Sequence, residues 1–305
     1  MSGYLRPIFR RLGRTVKLSV ALAATLAAAG CSPAVTGADL AWFEQGLRAE
    51  GKLRTDRAPA DAPFDQADLA RNFGLIAFGL EPQLNDGRTA SMMTRWEEPI
   101  RWNLFAPSGE RDRVRRDITA TFARISELTG IPVSEEPDDS KSNFDILVLG
   151  ARDYGGRVAW ARERVSENDA ELIAGFRNSE ILCRARTYHA NRDNADRRRG
   201  GISYALILIR AGYSDAFRLS CVEEELVQAM GLSNDDRSVR PSIFNDDEEF
   251  ALLTTHDELL LRILYDPRLR PGMDENEARP VVRRIAGELY RGTPGGTAGS
   301  AEAGG

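Results

Sequence analysis

The sequence is poor in the side chains that bind transition metals. Its 305 residues include two histidines, His189 and His256, and three cysteines. Catalytic zinc takes three protein ligands, usually histidines, and keeps one open position for water. No C-x-x-C pair or four-ligand zinc pattern is present, His189 has no second ligand near it, and His256 lies near a helix start where capping or solvent exposure is expected. The composition predicts a protein without a metal or other cofactor.

An excess of positive charge is also missing. The chain has 41 Lys+Arg and 46 Asp+Glu, a net charge of −5. Five of the basic residues and no acids lie in residues 1–30, so the remainder has 36 basic against 46 acidic residues, a net charge of −10. This argues against a nucleic-acid partner. The arginine run 197–199 lies in the polar stretch 191–201, where a solvated loop is expected and contact with an anionic partner is the alternative.

Residues 1–30 have the pattern of a secretory signal peptide. A basic region precedes the apolar run 18–29, which is too short for a stable transmembrane helix. The run ends in Ala28-Ala29-Gly30-Cys31, which resembles the lipobox of bacterial lipoproteins. We expect Cys31 to carry lipid and to hold the protein to a membrane in the periplasm; an ordinary signal peptide with an incidental cysteine is the alternative. Because Ser32 and not aspartate follows, analogy with envelope sorting favours the outer membrane.

Lipidation of Cys31 leaves two cysteines, Cys183 and Cys221. Two thiols in an oxidising compartment predict one disulfide between them, and two separate buried thiols are the alternative.

Composition divides the remaining chain into three parts. Residues 31–64 are rich in Ala, Gly, Asp and Pro, with one short helical stretch at 40–48, and are predicted to form a flexible tether. Residues 65–291 are long enough for one sizeable domain. Residues 292–305 contain Gly, Ala, Thr and Ser without an apolar pattern and are predicted to be disordered.

Hydrophobic periodicity within the domain predicts an α+β fold. Apolar residues at three- and four-residue spacing predict helices over 66–79, capped by Asp65, and over 111–128. Apolar alternation or short apolar runs predict strands over 99–105, 143–150, 181–189 and 202–209. A further helix is expected around residues 220–230, with Ser220 and Glu223 as its capping box.

This last helix carries the most informative motif. Its segment Glu223–Asn234 resembles the metzincin zinc-protease signature H-E-x-x-H-x-x-G-x-x-H. Glu224, Gln228 and Asn234 stand at the three histidine positions, Glu225 stands at the catalytic glutamate and Gly231 at the glycine. Gln and Asn are poor zinc ligands, so no metal site is expected. Glu224 and Gln228 share a helix face, and with Asn234 they are the candidate cleft residues; Glu225 is the candidate catalytic residue.

Two downstream segments strengthen the resemblance. Pro241-Ser242-Ile243-Phe244-Asn245 is similar to the metzincin Met-turn, with Phe244 at the methionine position, and Leu253 to Tyr265 is similar to the closing helix. Thr254 or Thr255 is expected to cap that helix, and Asp257 to interact with its dipole. The resemblance implies a metzincin-like α+β domain, with a mixed sheet packed on helices and a small helical C-terminal part.

Residues 65–290 also resemble an uncharacterised family of proteobacterial lipoproteins, a domain of unknown function. The similar segments are those around 221–232, 241–247 and 264–273. We expect a non-catalytic module that binds a peptide, an envelope polymer or an envelope protein. A hydrolase that uses Glu225 at an atypical site and a structural assembly factor of the envelope are the alternatives.

Overall fold

The computed structural model of this chain describes residues 37–79, 92–179, 181–189 and 200–292. All of them belong to the unit Ala34–Gly305. The predicted signal peptide, Cys31, the arginine run 197–199 and all but the first residue of the predicted tail lie outside the described residues. Within the described ranges, no helix combines the length and the apolar character that crossing a membrane requires.

A mixed β-sheet forms the centre of the domain. Four of its strands follow the order β3, β2, β4, β6 and are parallel, with β3 at one edge. Strand β5 runs antiparallel along β6, and the short β1 pairs in parallel with the start of β6. This agrees with the predicted α+β class. The strands are β1 (Arg95–Trp96), β2 (Ile100–Phe105), β3 (Val133–Glu135), β4 (Phe144–Leu149), β5 (Cys183–His189) and β6 (Gly201–Arg210).

Strand β4 shows why the sheet is covered on both faces. All six of its residues are buried, as expected for a parallel strand between two helical layers. Phe144, Ile146 and Val148 enter the main core. Leu147 and Leu149, which point the other way, enter a second and smaller core.

The described residues form eight helices in addition to the sheet. Helices α3 and α6 pack together on the side of the main core, and α4 and α5 enclose the second core. Helices α4 and α5 lie between the predicted strands 143–150 and 181–189, where the sequence pattern predicts no element. The helices are α1 (Gly37–Ala49), α2 (Gln66–Phe78), α3 (Arg111–Thr129), α4 (Tyr154–Arg164), α5 (Glu167–Phe176), α6 (Asp215–Gln228), α7 (Thr255–Leu264) and α8 (Glu275–Arg291).

The two helices with the clearest sequence signals form as predicted. In α3, the apolar stripe of Val114, Ile118, Phe122 and Ile125 is buried. The carboxylate of Asp65 accepts hydrogen bonds from the backbone N–H groups at the start of α2 and forms a capping box. Local spacing and a local cap decide both elements, so the sequence contains the necessary information.

Residues 37–64 pack against the domain, although they were predicted as part of a free tether. Leu40, Leu47 and Leu53 are buried in the main core. Arg54 forms a parallel β-bridge with Phe250. The composition of the segment resembles a linker, but three leucines at its packing positions are sufficient to anchor it.

Candidate functional site

Helix α6 carries the candidate site, and it begins earlier than predicted. Ser214 is its N-cap, and the Ser214 hydroxyl accepts a hydrogen bond from the Phe217 N–H over 3.2 Å. The capping box predicted at Ser220 and Glu223 is therefore wrong, because both residues lie inside the helix. Ser214 is followed by Asp215, whose carboxylate interacts favourably with the positive end of the helix dipole. This pair of residues is a helix-start signal that can be read from the sequence.

Glu223 is buried within α6 and forms an ion pair. Its carboxylate accepts hydrogen bonds from the Arg57 guanidinium over 2.6 and 3.2 Å. The same carboxylate accepts the Leu253 N–H over 2.7 Å. Glu223 thus connects α6 to the N-terminal segment and to the loop before α7.

Glu225, at the position of the catalytic glutamate, is 3 % exposed. Glu225 and Glu248 both lie near enough to the Tyr213 hydroxyl to influence its pKa. Burial raises the pKa of the Tyr213 hydroxyl, and the carboxylates of Glu248 and Glu225 act in the same direction. Burial also raises the pKa of the Glu248 carboxyl, and Asp246 adds to the effect. Glu225 is thus buried, and it shares the neighbourhood of the Tyr213 hydroxyl with Glu248.

Gln228, at the second ligand position, is held by a residue that the sequence did not indicate. Its Nε2 donates to both carboxylate oxygens of Asp235, over 2.9 and 3.1 Å. Glu224, one turn earlier, is partly buried. Asp235 was not predicted because it lies beyond the motif. A signal was present, since a chain that reverses direction at Gly231 brings Asp235 close to Gln228.

That reversal depends on Gly231. Its φ is +117°, and a Cβ at this position would lie 2.0 Å from the carbonyl oxygen of Thr94. Only glycine accommodates both the backbone angle and this close approach. The glycine of the motif is thus explained by packing of the turn against residue 94.

Asn234, at the third ligand position, supports a different element. Its Nδ2 donates to the Leu75 carbonyl over 2.9 Å, and its backbone N–H donates to the Ile76 carbonyl over 3.2 Å. These carbonyls belong to the last turn of α2, and the Leu75 carbonyl also accepts the backbone N–H of the C-cap Gly79 over 3.0 Å. The side chain of Asn234 therefore caps α2, while that of Gln228 binds Asp235, and the two amides do not converge on a common ligand.

The Met-turn segment is fixed by Asp257. This fully buried carboxylate accepts the Ser242 hydroxyl over 2.5 Å and the Ile243 N–H over 3.0 Å. It also accepts the Thr254 N–H and hydroxyl, over 2.8 and 2.9 Å. Thr254 is the N-cap of α7, as predicted. Asp257 was expected to interact with the helix dipole, and in the structure it also joins the turn below the motif to α7.

Neither histidine faces a metal-binding cluster. His256 is fully buried, and its Nε2 lies 3.0 Å from Asn72 Nδ2. The expected capping or solvent-facing role is wrong, because α2 and the ring of Phe64 cover it. His189 is exposed at the end of β5. Within the described ranges, no group of three or more His, Cys, Asp or Glu side chains could hold a metal ion.

The disulfide between Cys183 and Cys221 is present and confirms the prediction. Its Cα atoms are 5.8 Å apart. The bond connects the start of β5 to the middle of α6, so it attaches the motif helix to the edge of the sheet.

Residues 66–284 match the family model described as Protein of unknown function (DUF2927). The chain belongs to this family. No curated protein matches the sequence.

The DUF2927 match begins at the first residue of α2 and ends within α8. It contains Glu224, Glu225, Gln228, Asn234 and their partners described above. The N-terminal segment 37–64, which contacts Glu223 through Arg57, lies outside the match.

Proposed function

We propose that this DUF2927 protein is a lipid-anchored envelope protein whose domain is a metzincin-like scaffold that binds a ligand without catalysing a reaction. The ligand is a peptide, an envelope polymer or a partner protein. One observation carries the proposal: two of the three ligand positions have amide side chains that are committed to the scaffold. Gln228 binds Asp235, and Asn234 caps α2.

The order of elements supports the metzincin-like part of the proposal. Strand β2, helix α3, strand β4, an insertion, strands β5 and β6 and then α6 follow one another along the chain, as the resemblance implies; the short β3 is an addition. The turn at Gly231 and the turn at Ser242, which is bonded to Asp257, lie where that resemblance expects the glycine and the Met-turn.

The donor atoms at the motif do not fit zinc. A catalytic site needs three nitrogen, sulfur or carboxylate ligands that converge on one point. Here one carboxylate, Glu224, is accompanied by two amides that donate elsewhere. The proposed function therefore includes no metal at this position.

The proposal is tested on the purified soluble domain. We expect no stoichiometric zinc by elemental analysis and no cleavage of casein-like substrates. Glu225→Gln, which keeps the shape and removes the charge, should leave the cellular phenotype of the protein unchanged, as should the control Glu171→Gln on the exposed surface of α5. Loss of function in Glu225→Gln alone, with folding intact, would contradict the proposal.

A hydrolase that uses Glu225 is the second candidate. It is favoured by the burial of Glu225, which stands at the position of the catalytic glutamate and is 3 % exposed. Turnover of any peptide or polymer substrate that disappears in Glu225→Gln would favour this candidate, whereas stable co-purification with one envelope protein would favour a structural assembly factor.

The membrane attachment is tested separately. Cys31→Ala should leave the precursor uncleaved or release the protein from membranes, because the lipid is attached to the Cys31 thiol. Membrane fractionation and the size of the mature chain are the measurements. A Cys31→Ala protein that is cut normally and still fractionates with membranes would contradict the lipid anchor.

A further inference from the structure

A short extended segment precedes the family domain and lies across it. Residues 50–57, here called the strap, connect α1 to the turn before α2. The backbone of the strap pairs with the stretch 248–255. The pairs are Leu53 N–H to the Glu248 carbonyl, Arg54 N–H to the Glu249 carbonyl, Ala251 N–H to the Arg54 carbonyl and Thr255 N–H to the Arg57 carbonyl, at 2.9, 2.9, 2.8 and 2.7 Å.

Two side chains of the strap enter the domain. Leu53 is 3 % exposed and belongs to the main core. Four residues later, the Arg57 guanidinium binds Glu223 and also donates to the Leu253 carbonyl over 2.8 Å. A strand that pairs through its backbone and inserts selected side chains is a common mode of peptide recognition.

The surface beneath the strap belongs to the family domain, but the strap does not. The family match starts at residue 66 and includes Glu223 and residues 248–255. Without the strap, the carboxylate of Glu223, whose side chain is only 7 % exposed, would lose its arginine partner. An occupant that covers this carboxylate again without supplying a cation would leave it buried and unpaired, which is strongly unfavourable, so the groove selects an occupant with a positive charge at that place.

The backbone at the contact is in an uncommon conformation. Leu53 and Glu248 have φ values of +57° and +58° and are the residues other than glycine with positive φ in the described part of the chain. They are hydrogen-bonded to each other. A residue with a Cβ is strained at such a backbone angle, and the conformation persists only where the surrounding contacts compensate for the strain. The docked strap thus retains strain that an occupant without this angle would avoid.

We propose that the groove between α6 and residues 248–255 binds an extended peptide that has an apolar residue followed four positions later by an arginine, and that the strap occupies this groove in cis. The inference rests on the proposed function, for which it names the ligand class. Arginine is required because the Arg57 guanidinium contacts a carboxylate and a carbonyl together, a geometry that the single ammonium of lysine does not reproduce.

The test uses a labelled peptide with the sequence of residues 50–58 and the full soluble chain. In the chain, Leu53→Asp with Arg57→Ala should release the strap, and faster tryptic cleavage after Lys52 and Arg54 would report the release. Fluorescence anisotropy should then show that the peptide binds this variant. Binding to the unchanged chain should be weaker, because the tethered strap competes at an effective concentration on the order of millimolar.

Matched variants identify the charge contact. A peptide with Arg57→Ala should bind the released chain about tenfold more weakly, since the arginine is partly exposed and the loss is smaller than for a fully buried pair. Glu223→Gln in the released chain should remove the difference between the two peptides. Absence of binding to a folded released chain, or binding that ignores the arginine, would overturn the inference.

A second measurement avoids reliance on the released variant. In the unchanged chain, millimolar peptide should accelerate hydrogen exchange at the strap amides of Leu53 and Arg54, which donate to residues 248 and 249. If the peptide leaves the exchange rates of these amides unchanged, the inference is overturned, whereas the proposed non-catalytic function is not affected. Stoichiometric zinc with hydrolysis would overturn the proposed function instead, so the two failures are distinguishable.

Discussion

Replacement of Gly231 by alanine tests whether the turn after α6 is built as the structure shows. The new Cβ would lie 2.0 Å from the Thr94 carbonyl oxygen and 2.9 Å from its carbonyl carbon. Both atoms belong to backbone, so relief requires a main-chain shift. The φ of +117° adds strain for any residue with a Cβ. Backbone strain and overpacking each cost about 1–3 kcal/mol, so we expect a total loss of about 3 kcal/mol or more.

Thermal and urea unfolding measure this effect. A loss of about 3 kcal/mol corresponds to a fall in Tm of about 6–12 °C for a domain of this size. Gly155→Ala is the control, because a Cβ there meets nothing within 4 Å and the residue lies in α4; it should be neutral or stabilise by up to about 1 kcal/mol. A Gly231→Ala protein as stable as the unchanged chain would refute the packing of this turn against Thr94.

Three further changes probe the same domain. Because the bond between Cys183 and Cys221 closes a loop with a sequence separation of 38, its reduction should lower the free energy of unfolding by about 4 kcal/mol in the chain-entropy model; thiol labelling of the denatured, unreduced protein should find neither thiol free. Asp257→Asn should cost about 3 kcal/mol or more in urea unfolding, because an amide cannot accept all the donors that this buried carboxylate accepts. Glu248→Gln should be more stable than the unchanged chain near pH 7. Burial raises the folded-state pKa of Glu248 above the ordinary 4.5, so the native state binds more protons than the unfolded state in the window between the two pKa values. The unchanged chain therefore loses stability as the pH rises through that window. The difference should vanish below pH 4.5, and a constant difference across pH would contradict it.

Residues that interact within a few positions of each other were predictable. The stripe of α3, the cap at Asp65 and the buried strand β4 depend on near neighbours, and each forms as expected. The cap of α6 at Ser214 is also local, but the predicted helix start was the capping box at Ser220 and Glu223. That misassignment changed the interpretation of Glu223, which is a buried ion-pair partner and not a capping residue.

Residues whose partners are distant were not predictable. Asn234 caps a helix 159 positions away, and Arg57 binds Glu223 across 166 positions. His256 is buried because α2 and Phe64 cover it, although its position at a helix start suggested exposure. A single sequence contains no signal for such pairs, since nothing in the local pattern indicates which elements meet.

The α+β class, a bond between Cys183 and Cys221 and a glycine turn after α6 were all predictable from the residues alone. They follow, in that order, from hydrophobic periodicity, from the number of thiols left after Cys31 is assigned to lipid, and from a glycine in the motif, the residue type that turns with positive φ favour. The folded chain was needed to show that Gln228 and Asn234 serve the scaffold and that residues 50–57 lie across the domain. The reason is physical: a side chain's role is set by the groups that approach it when the chain packs, and burial makes those contacts energetically decisive.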